Sequence, residues 1–107
     1  MENSELNINK VIHERARLLI LTGLASHENK MMSFSELKSN FNITSGNLSL
    51  HLKSLEEEKY IRIEKKFAGN KPLTNVFITD EGIKALDEYL NDMEKIIRKL
   101  RKSKEDL

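Results

Sequence analysis

The sequence predicts a mainly α chain with one small β-hairpin, an α+β fold, and three observations carry that prediction. Apolar residues recur at helical spacing in several separate segments. One stretch alternates apolar and polar residues and is followed by a Gly/Asn/Pro cluster and a second β-rich run. The C-terminal segment holds a heptad-like series of large aliphatics. At 107 residues the whole chain, 1–107, has the size of one domain with a core that a partner copy would help to complete.

The elements follow in order. Ile8, Val11, Ile12, Leu19, Ile20 and Leu24 lie at helical spacing, and Leu18 and Leu21 widen the apolar arc, so a first helix over 8–26 is expected at the centre of the fold. The run MMSF is long enough only for a stub of strand. Ser33 followed by Glu36 matches a capping box, in which hydroxyl and carboxylate each satisfy a backbone amide; a short helix over 34–41 follows, with Leu37 and Phe41 on its apolar face. NIT breaks the chain, and Thr44 is a good N-cap for a third helix that sets Leu48, Leu52 and Leu55 on one side. Two short helices so joined make a helix-turn-helix over 34–58.

From Tyr60 the pattern changes to period two, YIRIEKKF, which predicts a half-buried strand. Gly69, Asn70 and Pro72 turn the chain, LTNVFIT resumes it, and the pair reads as a hairpin over 59–79 with a basic tip. Thr79 is expected to cap the last helix, 80–102, with Asp80 and Glu81 at its positive end and Arg98, Lys99, Arg101 and Lys102 at its negative end. Along it Ile83, Leu86, Leu90, Met93, Ile97 and Leu100 are spaced alternately three and four apart, an a/d seam that calls for a second helix and predicts dimerisation.

Composition excludes several classes. The chain has no Cys, so disulfides, zinc–thiolate sites and thiol chemistry are ruled out together, and a cytoplasmic location is the expectation. No apolar run approaches the length that spans a bilayer, and MENSELNINK does not read as a signal peptide. His13 and His27 are too far apart to form a helical metal pair, and no cofactor is expected. There is no Gly-rich phosphate loop and no nucleophile in a recognisable His and acid context, so no enzymatic activity is predicted. Net charge is only +1, but residues 59–75 hold five cations against one acid, whereas residues 79–95 hold six acids against two cations. Such segregation presents a local basic surface rather than a global field.

The element order is helix, stub strand, helix, helix, strand, basic turn, strand, long helix, which is that of a winged helix-turn-helix. The segments IHERARLLILTGLA, FSELKSNFNITSGNLSLHLKSLEEEKYI and KKFAGNKPLTNVFITDEG together resemble the compact winged-helix transcriptional regulators related to the MarR and ArsR groups, over roughly residues 10–90. The resemblance implies a homodimeric DNA-binding repressor or activator, with Ser45 to Lys53 in the recognition helix, Ala68 to Thr74 in the wing and the terminal helix in dimerisation. The lack of a His or Cys ligand set departs from the metal-sensing branch of those groups.

The residues support the same reading independently. The first dozen residues of TSGNLSLHLKSLEEE carry no acid. With Leu48, Leu52 and Leu55 turned inward, Gly46, Leu50, Lys53 and Ser54 face away from the core, and Asn47 and Ser49 flank them. Ser45, Asn47, Ser49, Leu50 and Lys53 form a small, lightly basic set suited to base edges in the major groove. Thr44, Ser45 and Gly46 bring amides and hydroxyls toward phosphate. Glu56, Glu57 and Glu58 are expected beyond the groove. Lys65, Lys66, Asn70 and Lys71 are expected to reach the backbone or the minor groove from a wing over 65–74, although no arginine stands at its tip. The expected partners are double-stranded DNA and a second copy of the chain, with the recognition helix spanning 45–58. No polar constellation marks an effector pocket. His51 is expected to pack or to bond backbone, and Arg17 to pair with an acid within the dimer. The competing class is a winged helix used as a protein–protein interaction module assembled through the C-terminal coiled coil, since fold alone does not fix function.

Overall fold

Four side-chain caps set where the helices begin. The computed structural model describes residues 7–105. Its first helix, α1, spans Arg15–Ser26 rather than starting at Ile8, because two upstream side chains compete for backbone amides. Asn9 Oδ1 accepts from the Ile12 amide at 3.0 Å and Glu14 Oε1 accepts from the Arg17 amide at 3.0 Å. These local bonds hold residues 9–14 in a turn and restart the chain as a helix at Arg15. Ile12 is nevertheless fully buried, so a turn delivers what helical spacing was expected to deliver.

The stub strand β1 (Met31–Ser33) leads into α2 (Phe34–Phe41), whose capping box forms as expected: Glu36 N donates to Ser33 Oγ at 3.1 Å and Ser33 N to Glu36 Oε1 at 2.8 Å. Asn42, in the left-handed region at φ 53°, closes α2. The next helix, α3 (Ser45–Glu57), starts at Thr44, whose Oγ1 accepts from the Asn47 amide at 3.2 Å. Leu48, Leu52 and Leu55 are buried on its inner side.

Strands β2 (Ile61–Ala68) and β3 (Lys71–Ile78) form the hairpin, and β1 pairs with β3, giving an antiparallel sheet in the order β1-β3-β2. Gly69 at φ 66° takes the first place of the two-residue turn, where a primed turn with glycine first needs a positive φ to match the strands' twist. The register pairs Ile61 with Ile78, Ile63 with Val76, Lys65 with Thr74 and Phe67 with Pro72 on one face of the sheet. Met32, Ile61, Val76 and Ile78 on that face are buried, and they join Ile20, Leu21, Leu24, Leu37 and the α3 leucines in one core.

The last helix, α4 (Asp80–Glu105), is anchored through Thr79. Its hydroxyl donates to the Lys59 carbonyl at 2.7 Å and accepts from the Gly82 amide at 3.0 Å, while the Thr79 amide donates to the Tyr60 carbonyl at 3.0 Å. Gly82 is forced by the same junction, since a Cβ there would stand 2.2 Å from the Tyr60 carbonyl oxygen. At 26 residues α4 is about 39 Å long. The described chain measures 63 × 26 × 23 Å with a radius of gyration of 16.5 Å, against about 13 Å for a compact domain of this size. The second half of α4 therefore runs on past the body.

This geometry divides the expected seam. Leu86 is buried and Met93 packs against the core beside Tyr89, so both serve the core of the chain itself. Ile83, Leu90, Ile97 and Leu100 remain exposed, Leu90 by 49% and Leu100 by 63%. The reason is the width of the apolar arc: at 100° per residue one edge meets α1 and the other meets nothing among the described residues, while Leu100 lies beyond the reach of α1.

Candidate nucleic-acid interface

Every residue expected at the interface is exposed: Thr44, Ser45, Gly46, Asn47, Ser49, Leu50 and Lys53 on or before α3, and Lys65, Lys66, Asn70 and Lys71 on the hairpin. Burying the three leucines turns Gly46, Leu50 and Lys53 outward along one stripe, and Leu50 is 65% exposed. Ser54, expected with them, is half-buried on the flank, where the helical turn from Leu55 carries it. Because the Thr44 hydroxyl accepts from the Asn47 amide, its oxygen is first a helix cap.

An open groove of about 380 Å³ separates α3 from the hairpin. Ser49, Lys53, Lys65 and Thr74 stand along it over an apolar floor of Phe34, Leu52 and Ile63. Lysines from two consecutive elements thus converge on one hollow. Glu56 lines it as well. Residues 49, 53 and 56 follow one another along one side of the helix, so Glu56 must border the hollow that Ser49 and Lys53 enter.

The wing's cations are not equivalent. Lys65 shares the groove-facing side of the sheet with Thr74, whereas Lys66 and Lys71 project from the opposite side. Lys66 stands 3.8 Å from Glu64, and Arg62 lies over the Phe77 ring at 4.1 Å on that same far side. The alternation begun at Ile61 also carries Phe67 onto the groove-facing side. It is 72% exposed, a side chain the sequence reading passed over although period two alone assigns its face.

Behind α3, a polar cluster links it to α1. Arg17 Nε donates to His51 Nδ1 at 3.3 Å and Arg17 Nη1 to the Val11 carbonyl at 3.4 Å, while Glu14 Oε1 lies 3.7 Å from His51 Nδ1. His51 thus meets side chains rather than backbone, and Arg17 bonds His51 and the Val11 carbonyl of its own chain. Burial pushes the Glu14 carboxyl upward, but the amides of Arg17 and Ala16 and the nearby His51 and Arg17 outweigh it and hold the group below its ordinary value. On the other side of Glu14 a shallow cleft of about 370 Å³ is lined by His13, Arg15, Leu18, Leu19 and Tyr89. Its polar pair, His13 Nδ1 and Tyr89 Oη at 2.8 Å, joins residues too distant in sequence to be seen as a constellation. Among the described residues no group of three or more His, Cys, Asp or Glu is placed to hold a metal ion, and no helix is long and apolar enough to cross a membrane.

A family model described as a winged helix DNA-binding domain matches residues 16–97. An uncharacterized protein of Methanocaldococcus jannaschii is 32% identical over 84 residues, which cover 78% of this chain and 89% of that one. Among solved structures, the transcriptional regulator homologue protein from Pyrococcus horikoshii OT3 is similar over 92% of this chain and 94% of its own, with a TM-score of 0.78 at 24% identity. A MarR family transcriptional regulator from Streptomyces coelicolor, solved in complex with DNA, is similar over 89% of this chain and 64% of its own, with a TM-score of 0.68 at 22% identity. At these identities the two structures speak for the fold.

Proposed function

The chain belongs to the winged helix DNA-binding domain family, and on that premise we propose that it is a transcriptional regulator that binds double-stranded DNA as a homodimer. In this reading α3 enters the major groove, the hairpin lies on the backbone or in the minor groove, and the exposed edge of α4 forms the dimer. The observation that carries it is the joint surface of α3 and the hairpin. The outward face of Ser45, Gly46, Asn47 and Leu50, which carries no acid, leads through Ser49 and Lys53 to the hollow that Lys65 of the wing also lines, so hydrogen-bonding groups and cations meet on one side of the molecule.

The chemistry fits a duplex. A major groove admits a helix whose leading turns lack bulk and negative charge; Asn47, Ser49 and Lys53 can bond base edges, and Leu50 can meet a thymine methyl. Backbone amides at the start of α3 and the lysines of the wing suit phosphates, which fix register without reading sequence. Ile83, Leu90, Ile97 and Leu100 on α4, with the half-buried Leu18 and Leu19 of α1, supply the apolar surface for a two-fold partner. A dimer so formed binds half-sites about one helical turn, roughly 34 Å, apart. Selection of duplexes from a random pool tests the reading. The wild type recovers a two-fold related site, Asn47→Ala and Lys53→Ala relax its sequence, and Lys71→Ala weakens all duplexes evenly. Recovery of no duplex by the wild type removes the reading.

A further inference from the structure

Phe67 is the most exposed of the large apolar side chains among the described residues, at 72%. It stands two residues from the turn, and its cross-strand partner is Pro72, also exposed. The pair therefore forms an apolar blade at the end of the hairpin, on the face that carries Lys65 and Thr74 one step nearer the body. Through Lys65 and Thr74 that face continues into the hollow bordered by Ser49 and Lys53 of α3. One step along the strand is about 7 Å, so the blade lies just beyond the groove and on the same side as the reading face of α3.

The surroundings of the blade select its partner. Lys65 precedes it, and Lys66 and Lys71 project from the opposite face of the same tip. Among the described residues Lys65 and Lys71 form no ion pair. An apolar edge framed by cations on both faces suits a polyanion with a stacked apolar interior better than it suits a protein or a lipid. The tip has no arginine to read the floor of a minor groove by hydrogen bonding, but apolar side chains inserted between base steps recognise a duplex differently, through the ease with which a step unstacks.

We propose that Phe67, backed by Pro72, is a wedge that enters the minor groove of the bound duplex and unstacks a base step beside each half-site, a role that rests on the DNA-binding reading above. The wedge makes flexible pyrimidine–purine steps at that position the preferred ones, giving sequence dependence outside the bases that α3 touches.

The test uses the duplex that the wild-type protein recovers from a random pool, with 2-aminopurine placed singly at each position flanking the half-sites. Wild-type binding is expected to raise the fluorescence at one flanking step per half-site. Phe67→Ala is expected to abolish that rise and weaken binding about tenfold, in the range carried by one base stacked on an aromatic ring, with the salt dependence unchanged. Phe67→Leu keeps most of both. Since the side chain is exposed, melting temperatures of all three proteins should coincide, which separates the effect from misfolding. Tight binding by the wild type with no flanking signal, or equal affinity and signal for Phe67→Ala, overturns the wedge and leaves the DNA reading intact. Failure of the wild type to bind any duplex overturns both.

Discussion

The Nε of Arg17 donates to Nδ1 of His51 across 3.3 Å, joining the first turn of α1 to the middle of α3. The bond makes α3 answerable to α1 in orientation. Arg17→Met keeps most of the aliphatic stem and removes the donor. Thermal denaturation should show a loss of about 1–3 kcal/mol, since the bond to the Val11 carbonyl goes with the bond to His51. An unchanged melting curve would mean that the contact does not hold α3.

Glu14 caps α1 through the Arg17 amide, and its carboxyl is held below its ordinary value. A carboxylate depressed on folding stabilises the native state above its unfolded value, about 4.3 for glutamate, and that contribution is lost as pH falls through the lower folded value. Glu14→Gln should therefore melt below the wild type near neutral pH, with the two curves converging in acid. A difference constant across that range would contradict the assignment.

Gly82→Ala sets a Cβ 2.2 Å from the Tyr60 carbonyl oxygen and 2.9 Å from Ile78 Cγ1. Neither the backbone of the β2 junction nor the buried Ile78 can yield freely. Denaturant unfolding should register a loss of at least about 1–3 kcal/mol, whereas Gly46→Ala, with nothing within 4 Å of its added Cβ, should be neutral or slightly stabilising.

How far these features can be read in the sequence depends on how local their physics is. The caps at Ser33, Thr44 and Thr79 are legible because a hydroxyl bonds an amide three residues on, whatever the rest of the chain does. The start of α1 is not, because Asn9 and Glu14 compete for the same amides that a helix would use and periodicity does not record the winner. The seam of α4 is visible as a period, but period alone does not say that Leu86 turns inward and Leu90 outward; the position of α1 decides that. Thr44, Ser45, Gly46, Asn47, Ser49, Leu50 and Lys53 are exposed as expected because burying three leucines fixes the remaining faces of the helix. The convergence of Lys53 with Lys65, and the pairing of His13 with Tyr89, depend on tertiary approach and leave no local trace.

The divided seam gives opposite outcomes for neighbouring leucines. Leu90→Glu and Ile97→Glu should leave a folded single chain in sedimentation where the wild type runs as a dimer, since a charge on the exposed edge disfavours the partner alone. Leu86→Ala should instead cost about 2–5 kcal/mol of folding stability by opening a cavity. A wild type that sediments as one chain at micromolar concentration contradicts the dimer.

The most direct test of the central claim, that the joint surface of α3 and the hairpin binds duplex DNA, is the dependence of affinity on salt. Log affinity for the selected duplex, plotted against log salt, should fall linearly with a slope of about −0.9 for each phosphate engaged by the two protomers, and Lys71→Ala should make that slope shallower. A salt-independent affinity, or a slope that Lys71→Ala leaves unchanged along with the affinity, would contradict it.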